Sequence, residues 1–227
     1  MFDGLRRRRA ARAHAKALEV HNAEMAEWSD VNDRLTSWID TVQACVEGRI
    51  DEQFTDRSDY GFMLDNDEFA VACISGTALL QVVKTPGSYR GGYGGVSFPI
   101  IGRVRGHVGS QRGTFVPGPE VQQVTDTGVT MVTNRRIMFR GDLRTEEWKY
   151  ARMMALDHSS DGITTISMSS RGKPEALGYG AEQAPEIQFR LEIGAALARD
   201  TLQRFLDELR AEQKHHEEGR PVAPAPL

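Results

Sequence analysis

The chain has 227 residues, a formal net charge of -4, 40% hydrophobic residues and 26% charged residues. This balance is typical of a globular domain with extensions, and a chain of this length buries a core without disulfides or metals. No apolar run approaches the ~20 residues that span a bilayer, and residues 1–5 lack the apolar segment of a secretory signal. Cys45 and Cys73 form no CxxC pair, so we expect no disulfide framework, no zinc site and a cytoplasmic location.

Charge is segregated along the chain. Among residues 1–16 the only acid is Asp3, whereas the bases are Arg6, Arg7, Arg8, Arg9, Arg12 and Lys16. Residues 19–68 hold fourteen acids against three arginines. Residues 69–119 contain no Asp or Glu, and their bases are Lys84, Arg90, Arg103, Arg105 and Arg112. Such asymmetry bears on binding partners more than on the fold.

Residues 1–48 predict a long N-terminal helix. An apolar stripe in its second half repeats at alternating spacings of three and four, and comprises Trp28, Val31, Leu35, Trp38, Val42 and Cys45. Gly48 follows the stripe as a plausible stop. The Trp28–Val42 stripe fits a dimeric coiled coil, docking on the chain's own C-terminal helix, or docking on a sheet. We expect self-association or intramolecular docking rather than an external protein partner.

The remaining chain predicts an acidic linker (49–68), a β-domain with a C-terminal helix (69–218) and a proline-rich disordered tail (219–227). Short apolar runs divided by turn residues predict antiparallel strands in a sandwich or small barrel. These runs are Phe69–Ile74, Ala78–Val83, Val121–Thr125, Val129–Thr133, Ile137–Arg140, Glu147–Ala151, Met154–His158 and Ile163–Met168. Apolar residues alternate with polar ones near the end of the domain and predict a last strand, at Ile187, Phe189, Leu191 and Ile193. The apolar spacing from Ala198 to Leu209 predicts a helix to about Glu218.

The segment Gly128–Trp148 resembles the bacterial PH-like and GRAM-like domains. In that family a strand ends in a Thr-Asn-Arg-Arg-type turn, here Thr133 to Arg136, and the next strand ends in Phe, here Phe139. Asn134 tolerates the left-handed conformation that a tight hairpin demands. The chain from about 69 to 209 is also similar to uncharacterised actinobacterial and phage proteins with a Gly-rich segment before this hairpin. The resemblance implies an α+β fold: a PH-like antiparallel β-sandwich or barrel closed by a C-terminal helix and preceded by the long N-terminal helix.

The candidate anion- or partner-binding residues are Lys84, Arg90, Arg103, Arg105, Arg112, Arg135 and Arg136. Basic side chains beside glycine amides suit a phosphate, and a basic residue followed by basic-x-basic resembles the phosphoinositide-binding pattern of PH domains. A second candidate is membrane-surface contact at the inner membrane face through Phe2, Leu5, Arg6, Arg7, Arg8 and Arg9, or pairing of this basic start with the acidic segment of a neighbouring chain. Net acidity makes nucleic acid an unfavoured ligand.

Enzyme signatures are missing from the sequence. Residues 91–95 do not fit GxGxxG, and GxSxG, HExxH and Walker A motifs do not occur. His158, Ser159 and Asp161 have the chemistry of a triad, but triad members converge from separate elements rather than from one turn. His215 and His216 are expected to be solvated. The sequence therefore predicts a non-catalytic cytoplasmic adaptor without cofactors that recognises a protein partner or an anionic surface such as a phosphate or lipid headgroup. The alternatives are a structural or assembly protein, such as one derived from a phage, that acts through oligomerisation, and an enzyme of unknown class.

Overall fold

The computed structural model describes residues 2–54, 61–84, 88–90, 93–101, 104–111, 114–116 and 120–225, and side chains for residues 8–54, 61–83 and 122–225. These segments form an α+β structure in which a long N-terminal helix precedes an antiparallel sheet and two C-terminal helices follow it. The predicted fold class is confirmed at this level. The sheet is open, so closure into a barrel is not part of the fold that the structure shows.

The predicted N-terminal helix is confirmed as α1 (Phe2–Val46), a single helix of 45 residues. It ends at Val46, two residues before Gly48, whose φ of +82° is the left-handed conformation that glycine adopts without strain. A short helix α2 (Ile50–Gln53) follows. Phe54 and Phe62 are both buried, so the ends of the acidic 49–68 segment contribute to the interior.

The strands follow in chain order. They are β1 (Ala70–Lys84), β2 (Ser88–Arg90), β3 (Tyr93–Ile101), β4 (Val104–Gln111), β5 (Thr114–Val116), β6 (Glu120–Thr133), β7 (Arg136–Gly141), β8 (Thr145–Lys149), β9 (Met153–His158), β10 (Ile163–Met168) and β11 (Glu175–Gly178). Seven of them form one sheet in the order β8-β7-β6-β1-β11-β10-β9, and every pairing is antiparallel. A 3₁₀ turn, η1 (Tyr150–Arg152), joins β8 to β9.

Two predicted turns lie inside continuous strands. The sequence divides β1 at Ser75-Gly76 and β6 at residues 126–128, but the two strands pair along their whole length from Ala70 to Lys84. Register shifts in that pairing absorb the irregular residues as β-bulges, and Gly76 has a φ of +71° there. The Asp126 carboxylate instead accepts hydrogen bonds from the amides of Leu143 and Arg144, and so fixes the turn between β7 and β8.

The chain between β1 and β6 forms nested β-pairs, which we call the β-arm (β2 to β5). Lys84 lies opposite Glu120 at the end of the long β1–β6 pairing. Beyond it β2 pairs with β5, and β3 pairs with β4 from Tyr93 and Gln111 to Ile101 and Val104. The β-arm therefore continues the β1–β6 hairpin as a two-stranded ribbon.

The predicted last strand at residues 187–193 is wrong, because these residues lie in α3 (Ala184–Ala198). The side chains of Ile187, Phe189, Leu191 and Ile193 are all buried, because α3 packs against the sheet on one side and against α1 and α4 on the other. At 100° per residue Ile187 and Leu191 fall on one side of the helix and Phe189 and Ile193 on the opposite side, so a helix buried on two sides produces the same alternation as a strand. The predicted C-terminal helix is confirmed as α4 (Leu202–Glu218), which packs on α1 and α3. Thus α3, not α4, is the helix that covers the sheet.

None of the helices in the described part of the chain is long and apolar enough to cross a membrane.

Candidate functional site

The predicted anion-binding residues do not form one site. Lys84, Arg90 and Arg105 lie on β1, β2 and β4, at the β-arm end of the sheet, and Arg103 and Arg112 lie outside the described residues. Arg135 and Arg136 lie at the other end of β6, in its turn to β7. At about 3.3 Å per residue, the 14 residues of β6 separate the two groups by roughly 40 Å along the strand. The sequence grouped these residues by charge, whereas the hairpin topology separates them.

In the folded chain the arginines on the described strands of the β-arm have no acidic residue opposite them. Strand register places Arg90 opposite Thr114 and Arg105 opposite Pro99, so neither arginine has an acid as its cross-strand neighbour. Lys84 differs, because it lies opposite Glu120. Opposite charges at facing positions attract each other, so Lys84 is the weakest of the three candidates for an external anion.

Arg136 is committed to contacts within the chain. Its guanidinium donates from Nε and Nη2 to the two carboxylate oxygens of Glu68 at 2.9 and 2.8 Å. It also donates to Glu147 at 3.0 Å and to the carbonyl of Met63 at 2.9 Å. The side chain of Glu68 is fully buried and that of Arg136 is 12% exposed. We therefore assign Arg136 to holding the 61–69 segment against the hairpin.

Glu68 is charged in this position for a clear physical reason. Burial alone raises its pKa, but hydrogen bonds from Arg136, from the Asp65 amide and from the Thr133 hydroxyl outweigh burial and hold the pKa below its ordinary value. Asn134 joins the same contact, since its side chain accepts from the Phe69 amide and donates to the Asp67 carbonyl. Asn134 has no positive φ, so the predicted left-handed turn residue instead acts through its amide group.

Arg135 differs from its neighbour because it is exposed. It lines an open groove of about 300 Å³ together with Asp65, Lys149 and Ala198. Lys149 pairs with Glu147 at 3.2 Å, and Asp65 lies 4.0 Å from Arg136. With acids interleaved among its bases, this groove is a weaker anion candidate than the β-arm.

The membrane-contact candidates lie at the start of α1. Arg8 and Arg9 are exposed, and the side chains of Phe2, Leu5, Arg6 and Arg7 lie outside the described set. All but three of residues 8–27 are exposed, the exceptions being His14, His21 and Met25, which are half-buried. This half of α1 therefore has little cover from the rest of the described chain.

The second half of α1 docks on the chain's own helices. Trp28 stacks on His216 with ring centroids 5.1 Å apart, and its indole N–H donates to the His216 carbonyl at 3.0 Å. Trp38 stacks on Phe189 at 4.8 Å and donates to Glu186 at 3.0 Å. Of the three arrangements predicted for the Trp28–Val42 stripe, the structure shows intramolecular docking. His216 was expected to be solvated and is instead half-buried against Trp28.

Between α1, α3 and α4 lies an apolar groove of about 340 Å³, which we call the interhelical groove. Its floor comprises Val31, Leu35, Trp38, Phe189, Phe205 and Leu209. The charged residues lining it are Arg34, Glu192 and Glu212. The sequence pattern does not indicate this groove, because it predicts a strand at Phe189, although it includes the stacking partner Trp38 in the apolar stripe.

His158, Ser159 and Asp161 do not form a catalytic triad. His158 contacts Thr164 through Nδ1 at 2.8 Å and Glu192 through Nε2 at 3.0 Å. Ser159 instead donates to Asp161 and to the Ile163 carbonyl. These contacts join β9, β10 and α3 and place no serine hydroxyl against the imidazole. Among the residues that the structure describes, no group of three or more His, Cys, Asp or Glu side chains is arranged to hold a metal.

No family model matches the chain, and neither a curated protein nor a solved structure matches it.

Proposed function

We propose that this chain is a non-catalytic, PH-like binding module that engages a phosphate-bearing membrane surface through its β-arm, at the cytoplasmic face. The observation that carries the proposal is the absence of acids from residues 69–119, a stretch that contains β1 to β5. A negatively charged surface that approaches this stretch meets only basic or uncharged residues. The acidic residues 19–68 help to orient the molecule, since they are repelled by the same surface.

The PH-like assignment has support in the architecture. Seven antiparallel strands are followed by C-terminal helices, and the hairpin of β6 and β7 carries the family-like Thr133 to Arg136 turn. The helix α3 approaches the sheet at the hairpin end, because Gly194 lies against Val132 and Thr133. The β-arm leaves from the opposite end of β6. A ligand on the β-arm is therefore unobstructed by α3.

Vesicle co-sedimentation tests the proposal. The full chain is mixed with phosphatidylcholine vesicles with or without phosphatidylserine, and we expect sedimentation only with the anionic lipid. Each arginine near such a surface contributes about 1 kcal/mol, so Arg90→Glu with Arg105→Glu lowers the affinity by about thirtyfold or more. Binding should also disappear at about 1 M salt, where the Debye length is about 3 Å.

The matched control places the same charge change elsewhere. Arg204→Glu with Lys214→Glu alters two exposed residues of α4 and lowers the net charge equally. We expect this variant to sediment like the wild type. Equal loss in both variants would mean that net charge alone governs adsorption, and no sedimentation of the wild type at low salt would exclude the membrane surface as ligand.

A further inference from the structure

The N-terminal half of α1 and the interhelical groove are complementary to each other. We propose that two copies of this chain pair through antiparallel α1 helices, so that the start of each α1 fills the interhelical groove of the other copy. The proposal does not depend on the β-arm. It concerns a different surface, and it names a second copy of the chain as the occupant of the groove.

Helix periodicity aligns the two surfaces. Positions 2, 20 and 38 of α1 lie on one line along the helix, because 18 residues make five complete turns. Position 38 is Trp38, at the groove, position 2 is Phe2, and the midpoint is Val20, which is 49% exposed. An antiparallel pairing about Val20 therefore brings Phe2 of one copy to the level of Trp38 of the other.

The chain cannot fill its own groove with this segment. Phe2 and Trp38 belong to one continuous helix, and at 1.5 Å per residue they lie about 54 Å apart. A second copy supplies the segment at the right level in both directions, since the pairing is symmetric. Both grooves are then filled by one two-fold interface, the commonest kind in homodimers.

Charge supports the same register. With Val20 on the axis, Arg9 and Arg12 of one copy lie at the levels of residues 31 and 28 of the other, where Glu27 and Asp30 lie on the same side of the helix. All four of these residues are exposed. In the groove, Glu192 and Glu212 outnumber Arg34, so its rim favours a segment in which four arginines follow the apolar Phe2 and Leu5.

Isolated α1 has an electrostatic reason to pair. Its first turns carry a run of arginines close to the positive end of the helix dipole, and Arg8, Arg12 and Lys16 repel each other at i,i+4 spacing. Carboxylates of a second copy relieve this repulsion. A parallel pairing would instead bring the two basic starts together, so the charge pattern selects the antiparallel form.

Analytical ultracentrifugation of the full chain tests the proposal with a matched pair of variants. Val20→Glu places two carboxylates against each other on the axis, and we expect the dimer to dissociate at a concentration at least about tenfold higher. Leu18→Glu is the control, since Leu18 is 38% exposed and lies about 200° around the helix from Val20. We expect Leu18→Glu to dimerise like the wild type. Equal effects of the two variants, or a wild type that is monomeric at high concentration, would overturn the proposal.

Charge exchange tests the direction of pairing. Arg9→Glu with Arg12→Glu, and separately Glu27→Arg with Asp30→Arg, should each weaken the dimer, whereas the fourfold exchange should restore it. Failure of the fourfold exchange to restore dimerisation would refute the antiparallel register. A monomeric wild type that binds phosphatidylserine vesicles and loses binding in Arg8→Glu with Arg9→Glu would assign the helix start to a membrane surface instead.

Discussion

The buried contact between Glu68 and Arg136 predicts a large loss of stability in Glu68→Gln. Removing one partner of a buried ion pair lowers the free energy of unfolding by about 3–5 kcal/mol when the other charge is left without compensation. Here Arg136 is 12% exposed and retains Glu147 at 3.0 Å, so part of its charge remains compensated. We therefore expect the free energy of unfolding to fall by about 2–3 kcal/mol, and the melting temperature by about 4–12 °C.

Urea unfolding followed by circular dichroism measures this loss. The control is Glu147→Gln, which removes the partly exposed partner of the same guanidinium, at 38% exposure, and should cost less than about 1 kcal/mol. Glu68→Gln keeps the size of the side chain but replaces one of its two acceptor oxygens with a donor amide, so the expected loss includes both the charge and the hydrogen bonds that this oxygen accepts. Equal effects of the two variants would refute the conclusion that the buried carboxylate, rather than its exposed neighbour, holds the 61–69 segment in place.

Three further predictions concern Glu68, the packing of α3 on the sheet and the contact between α1 and α4. The pKa of Glu68 is lower in the folded protein than its ordinary value of 4.5. Its charge therefore contributes stability that is complete above about pH 4.5 and is lost as the pH falls through the folded pKa. The difference in unfolding free energy between wild type and Glu68→Gln should be smaller in urea titrations at about pH 3 than at neutral pH. Gly194→Ala should lose about 1–3 kcal/mol in the same assay although alanine favours helices, because the added methyl would lie 2.5 Å from the Tyr150 hydroxyl; unchanged stability would show that α3 can shift away from the sheet. Trp28→Phe should cost about 1 kcal/mol by removing the indole donor to the His216 carbonyl, and hydrogen exchange should show faster opening at the end of α4 than in wild type.

Local sequence patterns predicted α1, β7, β9 and β10 correctly. The spacing of apolar residues from Trp28 to Cys45 and the glycine at position 48 predicted α1 and its end. Polar turn residues between short apolar runs predicted β7, β9 and β10 within about a residue. In α1, β9 and β10 the more buried positions recur on one face, so the pattern records the packing directly. In β7 both faces are buried, since Met138 packs in a cluster with Phe62 on the face opposite Ile137 and Phe139, and its polar turn residues marked its ends.

Local patterns did not predict the type or the extent of elements that are buried on several sides or interrupted by bulges. The alternation from Ile187 to Ile193 comes from a helix that is buried on two opposite sides, and only its position between the sheet and the other two long helices explains that burial. Bulges likewise hid the continuity of β1 and β6, since each strand carries polar or glycine residues that its partner accommodates by a register shift. Local patterns also do not show which arginines share a surface, because strand topology rather than sequence distance places Arg135 far from the β-arm.

The two proposals have a joint consequence that either alone lacks. If the antiparallel α1 pair forms, each copy contributes one β-arm, and the dimer offers two weakly binding arms to one surface. The second arm then binds at an effective concentration set by the rigid α1 pair, so the overall affinity can exceed that of one arm by about 10²–10⁴ without any new contact. This predicts that Val20→Glu, which alters no residue of the β-arm, weakens vesicle binding at high lipid density while Leu18→Glu does not. If Val20→Glu abolishes the dimer but leaves vesicle binding unchanged, the two arms do not reach the same surface.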